Sequence, residues 1–578
     1  MAGPRRWLLA LAAVATAALA ANYSGMFEGG DRMSSAAPPL ATVVSDGRVT
    51  ANRSNPGKPV KSTITVGEAS RFLNQATFGP TEAESMALTG SSYSNWINNQ
   101  FTLPRQSHYA HVLYLKSIGV NIDDFSNQHA VESFWKQAIT GPDQLRQRVT
   151  WGFSQIFVVG DVNNMRNSAY YDILAANSFG NFRTLLEDVT LSPAMGYWLS
   201  HIGNRKEDPA TGRLPDENYA REVMQLFTIG LWKLNPDGTR MLDGLGKPIP
   251  TYSQEDIRGM AKVLTGWSYA GCNPAIEAWY CFDSARSGYY RTYADITTQM
   301  APLEAYHSTA QKAIVNGVVI PAGGTARGDL KIALDTLFNH PNVGPFIGRQ
   351  LIQRLVKSNP TPAYVGRVAA AFNNNGSGVR GDMQTVIRAI LLDVEARDVT
   401  QTQTQTSGRL REPVQMLAQY FRVFTTPPSD GRFDFNVWWM ESVFQQRPLS
   451  SRSVFNFYSP NFLPPGEMSQ NVVYGPEYQI LHEGTVVDAY NFIEYFVMTE
   501  VDGTTGYRHN YAALESLAGN PGALVDKLSL LLTGSTLSPA SRTVIVDAVG
   551  KVSSSTPKDR VKMALMLFEI APDYKVQK

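Results

Sequence analysis

Residues Pro215–Gly230 read PDENYAREVMQLFTIG. At about 100° per residue, Tyr219, Val223, Leu226 and Phe227 fall on one apolar stripe. Asn218, Arg221, Glu222 and Gln225 form a contiguous arc on the other side, with Glu217 and Thr228 at its edges. Asp216 is a good N-cap, and Glu217 suits the first-turn dipole. The stretch predicts a sharply bounded amphipathic helix. Glu217 and Arg221 stand at i,i+4, a pairing worth only about 0.2–0.5 kcal/mol on a solvated face. Such a face more often carries Lys and Glu, whereas Arg and Asn favour fixed, forked hydrogen bonds. Two readings stay open, an exposed polar face and a buried polar network.

The same helical grammar runs outward along the chain. Thr65 with Glu68 and Thr81 with Glu84 have capping-box spacing. Gly141-Pro142 opens a helix with Pro at its first position, carrying Leu145, Val149, Phe153, Ile156 and Phe157 on one face. Further helices are expected over 329–338, 343–356, 362–372 and 382–392. Asp382, in an Arg-Gly-Asp tripeptide, reads as an N-cap. Tyr252 and Ile257 staple a helix capped by Ser253, charged by Asp256 and closed by Thr265-Gly266-Trp267. The one strand signal is Trp232–Pro250, which contains the turn Asn235-Pro236-Asp237-Gly238. The expected fold is mainly α, a multi-helix globular body with minor β-hairpin content.

The chain has 578 residues, 43% apolar and 17% charged, enough to bury a large core in two or three units. Its 51 basic and 50 acidic residues give a formal charge of +1. That balance argues against a nucleic-acid partner, which requires a basic surplus. Arg5 and Arg6 precede the apolar run Leu8–Ala20, and Ala18-Leu19-Ala20 fits a small-x-small cleavage site. A signal peptide over 1–20 and export to the periplasm, cell surface or medium are expected, with an uncleaved anchor as the alternative. Sec and twin-arginine routes both remain open. No transmembrane span is expected after cleavage. Residues 21–62 read as a flexible arm and 63–399 as a main helical block. The polar linker TQTQTQTS covers 400–407, and 408–578 forms a C-terminal helical block. Cys272 and Cys281, the only cysteines, read as one disulfide closing a short loop in an exported protein, worth about 2–3 kcal/mol. Two free buried thiols are the alternative.

No nucleophile elbow, zinc-binding HExxH, Walker loop, EF-hand loop, CxxC or dinucleotide fingerprint occurs. The two helices ENYAREVMQLFTIG and TYSQEDIRGMAKVLTGW, in this order, resemble the bacterial domain-of-unknown-function 1800 family. So do RFLNQATFGPT at Arg71–Thr81, LRQRVTWGFSQIFVV at Leu145–Val159, FNHPNVGPFIGRQLIQRLV at Phe338–Val356 and REPVQ at Arg411–Gln415. The resemblance implies an exported, largely helical protein and carries no agreed catalytic residues. It transfers Glu217, Asn218, Arg221, Glu222, Asp256 and Trp267 as family signature. It also implies a co-exported alkaline-phosphatase-like partner, since genes of the two families often adjoin. His307 and Lys312, in YHSTAQK, resemble the family's His-plus-Lys segment. Many members have Asp after that His, where Ser308 stands here.

Two functional readings follow. In the first, an exported hydrolase-like enzyme lines a polar cleft with Glu217, Arg221, Glu222, Asp256 and either His201 or His307. Asn218, Gln225, Trp267 and Lys312 would contribute to binding. Carboxylates there can act as general acid and base or hold a divalent cation, although no motif requires a metal or other cofactor. In the second, a non-catalytic cell-envelope protein binds polysaccharide or the co-exported partner through aromatic loops that include Trp438 and Trp439.

Overall fold

Capping chemistry marks many of the helix starts. In the computed structural model both predicted capping boxes close, at Thr65/Glu68 and Thr81/Glu84. Ser253 and Asp256 make a third, which begins the helix Gln254–Val263. Asp382 accepts from the backbone of Gln384 and Thr385 and caps Met383–Leu391. The helices expected over 329–338, 343–356 and 362–372 run over Ala326–Asn339, Val343–Leu355 and Pro362–Asn373. The helix after Gly141-Pro142 differs. It spans Gln144–Ser154 with Asp143 at the N-cap, so Pro142 lies outside it.

The structure describes residues 63–122, 126–160, 162–284, 294–398, 400, 406–430, 432–433, 440–499 and 506–578. The signal segment, the arm, most of the polar linker, and Trp438 and Trp439 lie outside these residues.

The fold is mainly α. Its small β content, among the described residues, is four two-stranded antiparallel pairs. Trp232–Pro250 forms the expected hairpin through three isolated bridges, Trp232 to Pro250, Leu234 to Arg240 and Leu242 to Pro248. Of the four pairs, Trp267–Ser268 with Ala301–Pro302 and Lys312–Ile314 with Val318–Ile320 flank the candidate site.

Apolar side chains collect in one large core and a smaller C-terminal one. The two do not divide at the polar linker. Helix Pro413–Phe424 gives Val414, Leu417, Ala418 and Phe421 to the large core and Met416, Tyr420 and Phe424 to the smaller one. A helix apolar on both faces must be covered twice. Arg411, just before it, donates to Asn74 near the N-terminal end, to the carbonyl of Leu532 and to that of Tyr574. Arg409–Leu410 pairs with Val576–Gln577 at the chain's end. The segment after the linker therefore joins both parts of the molecule.

Candidate functional site

The opening stretch folds as a short helix, Asn218–Gln225. The carboxylate of Asp216 accepts from the Asn218 N–H at 2.9 Å, and the cap position itself falls on Glu217. The far end is closed by Thr228, whose hydroxyl donates to the carbonyl of Val223. Gly230 follows with φ +70°, where an added Cβ would lie 2.7 Å from the Phe346 ring. Glycine is required there on both counts.

Tyr219, Ala220, Val223, Met224 and Phe227 are buried as the apolar stripe requires. The polar arc does not behave as one surface. Asn218 is exposed, and Arg221 and Gln225 are half-buried. Glu222 is only 5% exposed. Glu217 holds Arg221 at 3.4 Å and accepts from Gln254 at 2.9 Å. Gln225 accepts from the Tyr252 hydroxyl at 3.0 Å. Both ends of the arc are thus tied to the start of Gln254–Val263. That helix lies very close to its own support, since a Cβ on Gly259 would meet the carbonyl oxygen of Ala313 at 1.7 Å.

Glu222 stands apart in its chemistry. Its Oε2 is buried without a hydrogen-bond partner. Burial raises its pKa above the ordinary glutamate value, and the neighbouring Arg221 charge opposes the shift only in part. A carboxyl in this state can keep and deliver a proton where an exposed glutamate cannot.

The other predicted residues divide among different environments. Asp256 spends its carboxylate on the Ser253 N–H and hydroxyl, both at 2.7 Å. His201 belongs to the core. Its ring stacks on Tyr219 at 4.1 Å, and its Nε2 lies 2.8 Å from the Thr190 carbonyl. Burial pushes its pKa down to about 4, so it stays neutral. His307 and Lys312 come together on Asp329, at 2.9 and 2.6 Å from the same Oδ2, with all three side chains buried. The carboxylate that meets His307 is that of Asp329, 22 residues downstream. Ser308 instead donates to Glu207 at 2.9 Å. Trp267 is buried, with Arg327 over its ring at 5.7 Å. Cys272 and Cys281 form the expected disulfide. Among the described residues, no group of three or more His, Cys, Asp or Glu is arranged to hold a metal ion.

Two polar clusters escaped the sequence reading. In the first, Glu132 lies 3.5 Å from His111, 3.2 Å from His129 and 3.0 Å from Arg432. Its signal was a pair of one-turn spacings, His108-x-x-His111 and His129-x-x-Glu132, on the neighbouring helices His108–Ser117 and Gln128–Thr140. The second joins residues far apart in sequence. Arg409 bonds Glu477 at 3.0 Å and Glu412 at 2.5 Å. The other oxygen of Glu412 accepts from Trp151, Gln155 and Gln446 at 2.8–3.1 Å. Arg148 and Arg409 both donate to the carbonyl of Arg354, whose guanidinium lies 4.7 Å over Tyr458. Burial and two neighbouring arginines lower the Arg148 pKa to about 9. Three of the quoted sequence motifs meet in this network, in the interior of the protein.

The model of the family described as "Protein of unknown function (DUF1800)" matches residues 71–576. The chain belongs to the DUF1800 family. No curated protein and no solved structure matches it. The DUF1800 match takes in the motif helix, the His307–Lys312–Asp329 node and the buried arginine network alike.

Proposed function

We propose that this DUF1800 protein is an exported, hydrolase-like enzyme in which Glu222 is the general acid and base. One observation carries the reading: a buried glutamate with an unpartnered oxygen stands one residue from the half-exposed Arg221. The raised Glu222 carboxyl suits protonation of a leaving group, and Arg221 suits an anionic group of a substrate. Glu217 positions Arg221. Asp256, His201 and the His307 node support the helices that hold these groups. The test is hydrolysis of a panel of chromogenic esters, glycosides and phosphate esters by wild type and Glu222→Gln. The variant should melt at nearly the wild-type temperature and lose about 10²–10⁴-fold in rate on any panel member the wild type cleaves. A steep fall in melting temperature, or an unchanged rate, would show that Glu222 is a structural group.

A second reading, a non-catalytic envelope protein binding polysaccharide or a co-exported alkaline-phosphatase-like partner, draws support from one surface. On the loop closed by Cys272–Cys281, Ile276 and Trp279 are 83% and 61% exposed. Trp279→Ala should then abolish co-sedimentation with insoluble cell-wall polysaccharide. Co-sedimentation equal to that of wild type would remove the polysaccharide version.

A further inference from the structure

Lys312 opens the strand pair Lys312–Ile314 with Val318–Ile320, and Asp329 lies in the first turn of the helix that follows, Ala326–Asn339. Lys312 and His307 are fully buried, and Asp329 is 2% exposed. Lys312 Nζ is 2.6 Å from Asp329 Oδ2, and its other acceptor is the Ala310 carbonyl at 2.9 Å. The second oxygen of Asp329 is also confined, since a Cβ on Gly324 would lie 2.1 Å from Oδ1. An amine and a carboxyl held in contact are the two reactants of an amide. Fixed position raises their effective concentration, and burial keeps out the water that would reverse the condensation.

His307 places a proton at the same carboxyl oxygen. Its Nδ1 lies 2.9 Å from the Thr265 carbonyl, which can only accept. The Thr265 hydroxyl, at 3.3 Å, donates its own proton to the Lys262 carbonyl. Nδ1 therefore carries a proton. Nε2 faces Asp329 Oδ2 at 2.9 Å, a hydrogen-bond distance that needs a second proton between the two atoms. The oxygen that would leave in a condensation thus has an acid beside it.

We propose that Lys312 and Asp329 become joined by an intramolecular isopeptide bond once the chain has folded. Nζ attacks Cγ of Asp329, and the Cγ–Oδ2 bond breaks. Starting from ammonium and carboxylate, two protons leave Nζ and depart with Oδ2 as water. His307 relays one of them through Nε2 and ends as it began. No further reagent is consumed, and the net charge of the pair stays at zero. The product replaces a desolvated ion pair with a neutral amide, the less costly group in an interior. It also ties the strand against which Gly259 of helix Gln254–Val263 packs to the helix behind it.

The test is tryptic peptide mass spectrometry of the purified full chain. Trypsin cannot cut after an acylated lysine. Residues 328–331 should therefore appear as a branch on a peptide that runs uncut through Lys312 to Arg327, and the branched product should be lighter than its two parts by one water. Lys312→Arg should release 328–331 unbranched at full mass. His307→Gln should leave a fraction of the chains unlinked. Wild type cut after Lys312, or 328–331 released unbranched from it, would overturn the proposal. Complete linkage in His307→Gln would overturn the role of His307. If a variant does not fold, the wild-type peptide map decides the bond.

Discussion

Glu222 and Glu412 are both buried glutamates in motif segments, and they differ in what surrounds them. Glu412 receives Arg409 on one oxygen and three neutral donors on the other. Its pKa lies below the usual value even though burial pushes the other way, because Arg409 and Arg148 hold the charge. Glu222 has no partner on Oε2, and its pKa moves up. The same residue type is a girder in one place and an uncommitted acid in the other. What separates them is donor supply, since both are shielded from water.

That contrast can be broken at its strong end first. Glu412→Ala leaves Arg409 and its neighbours without their shared carboxylate. It should destabilise by the upper part of the about 3–5 kcal/mol expected for breaking a buried ion network, read by urea unfolding. A loss under about 1 kcal/mol would mean that the interior network is dispensable. Next comes Asp329→Asn, which strips the buried Lys312 of its counter-charge. It should cost the lower part of the same range, about 3 kcal/mol, in the same measurement. Glu222→Gln should change stability at neutral pH by less than about 1 kcal/mol. The sign of its pH dependence is specific. A carboxyl whose pKa is raised by folding binds its proton more tightly when folded, so wild type loses stability as pH rises above the ordinary glutamate pKa. Glu222→Gln, which never ionises, should gain on wild type over that rise. Smallest is Glu217→Gln, which removes a part-exposed pair at 3.4 Å and should shift stability by under about 0.5 kcal/mol. A larger loss would mean that the bond to Gln254 matters more than the pair.

Local chemistry was readable from sequence wherever it acts within a few residues. The Thr65, Thr81, Ser253 and Asp382 caps, the apolar stripe of Asn218–Gln225 and the Cys272–Cys281 pairing all depend on near neighbours. Helical spacing gave the polar arc but not its depth. Asn218 and Glu222 sit one turn apart, one exposed and one buried, because depth depends on what packs beside the helix. Partners supplied from afar were beyond reach. Asp329 meets His307 and Lys312 only through the strand pair Lys312–Ile314 with Val318–Ile320 and the helix that follows it. Glu477 reaches Arg409 across 68 residues. The one-turn His and Glu spacings at 108–111 and 129–132 were available in the sequence, but the approach of Arg432 to Glu132 was not.

The most direct test of Glu222 as an uncommitted acid is a carbon-13 NMR titration of its side-chain carboxyl, assigned by loss of the signal in Glu222→Gln. The account predicts a midpoint clearly above the ordinary glutamate value of 4.5. A midpoint at or below that value would mean that the carboxyl is paired and charged in the folded protein, and the contrast with Glu412 would be lost.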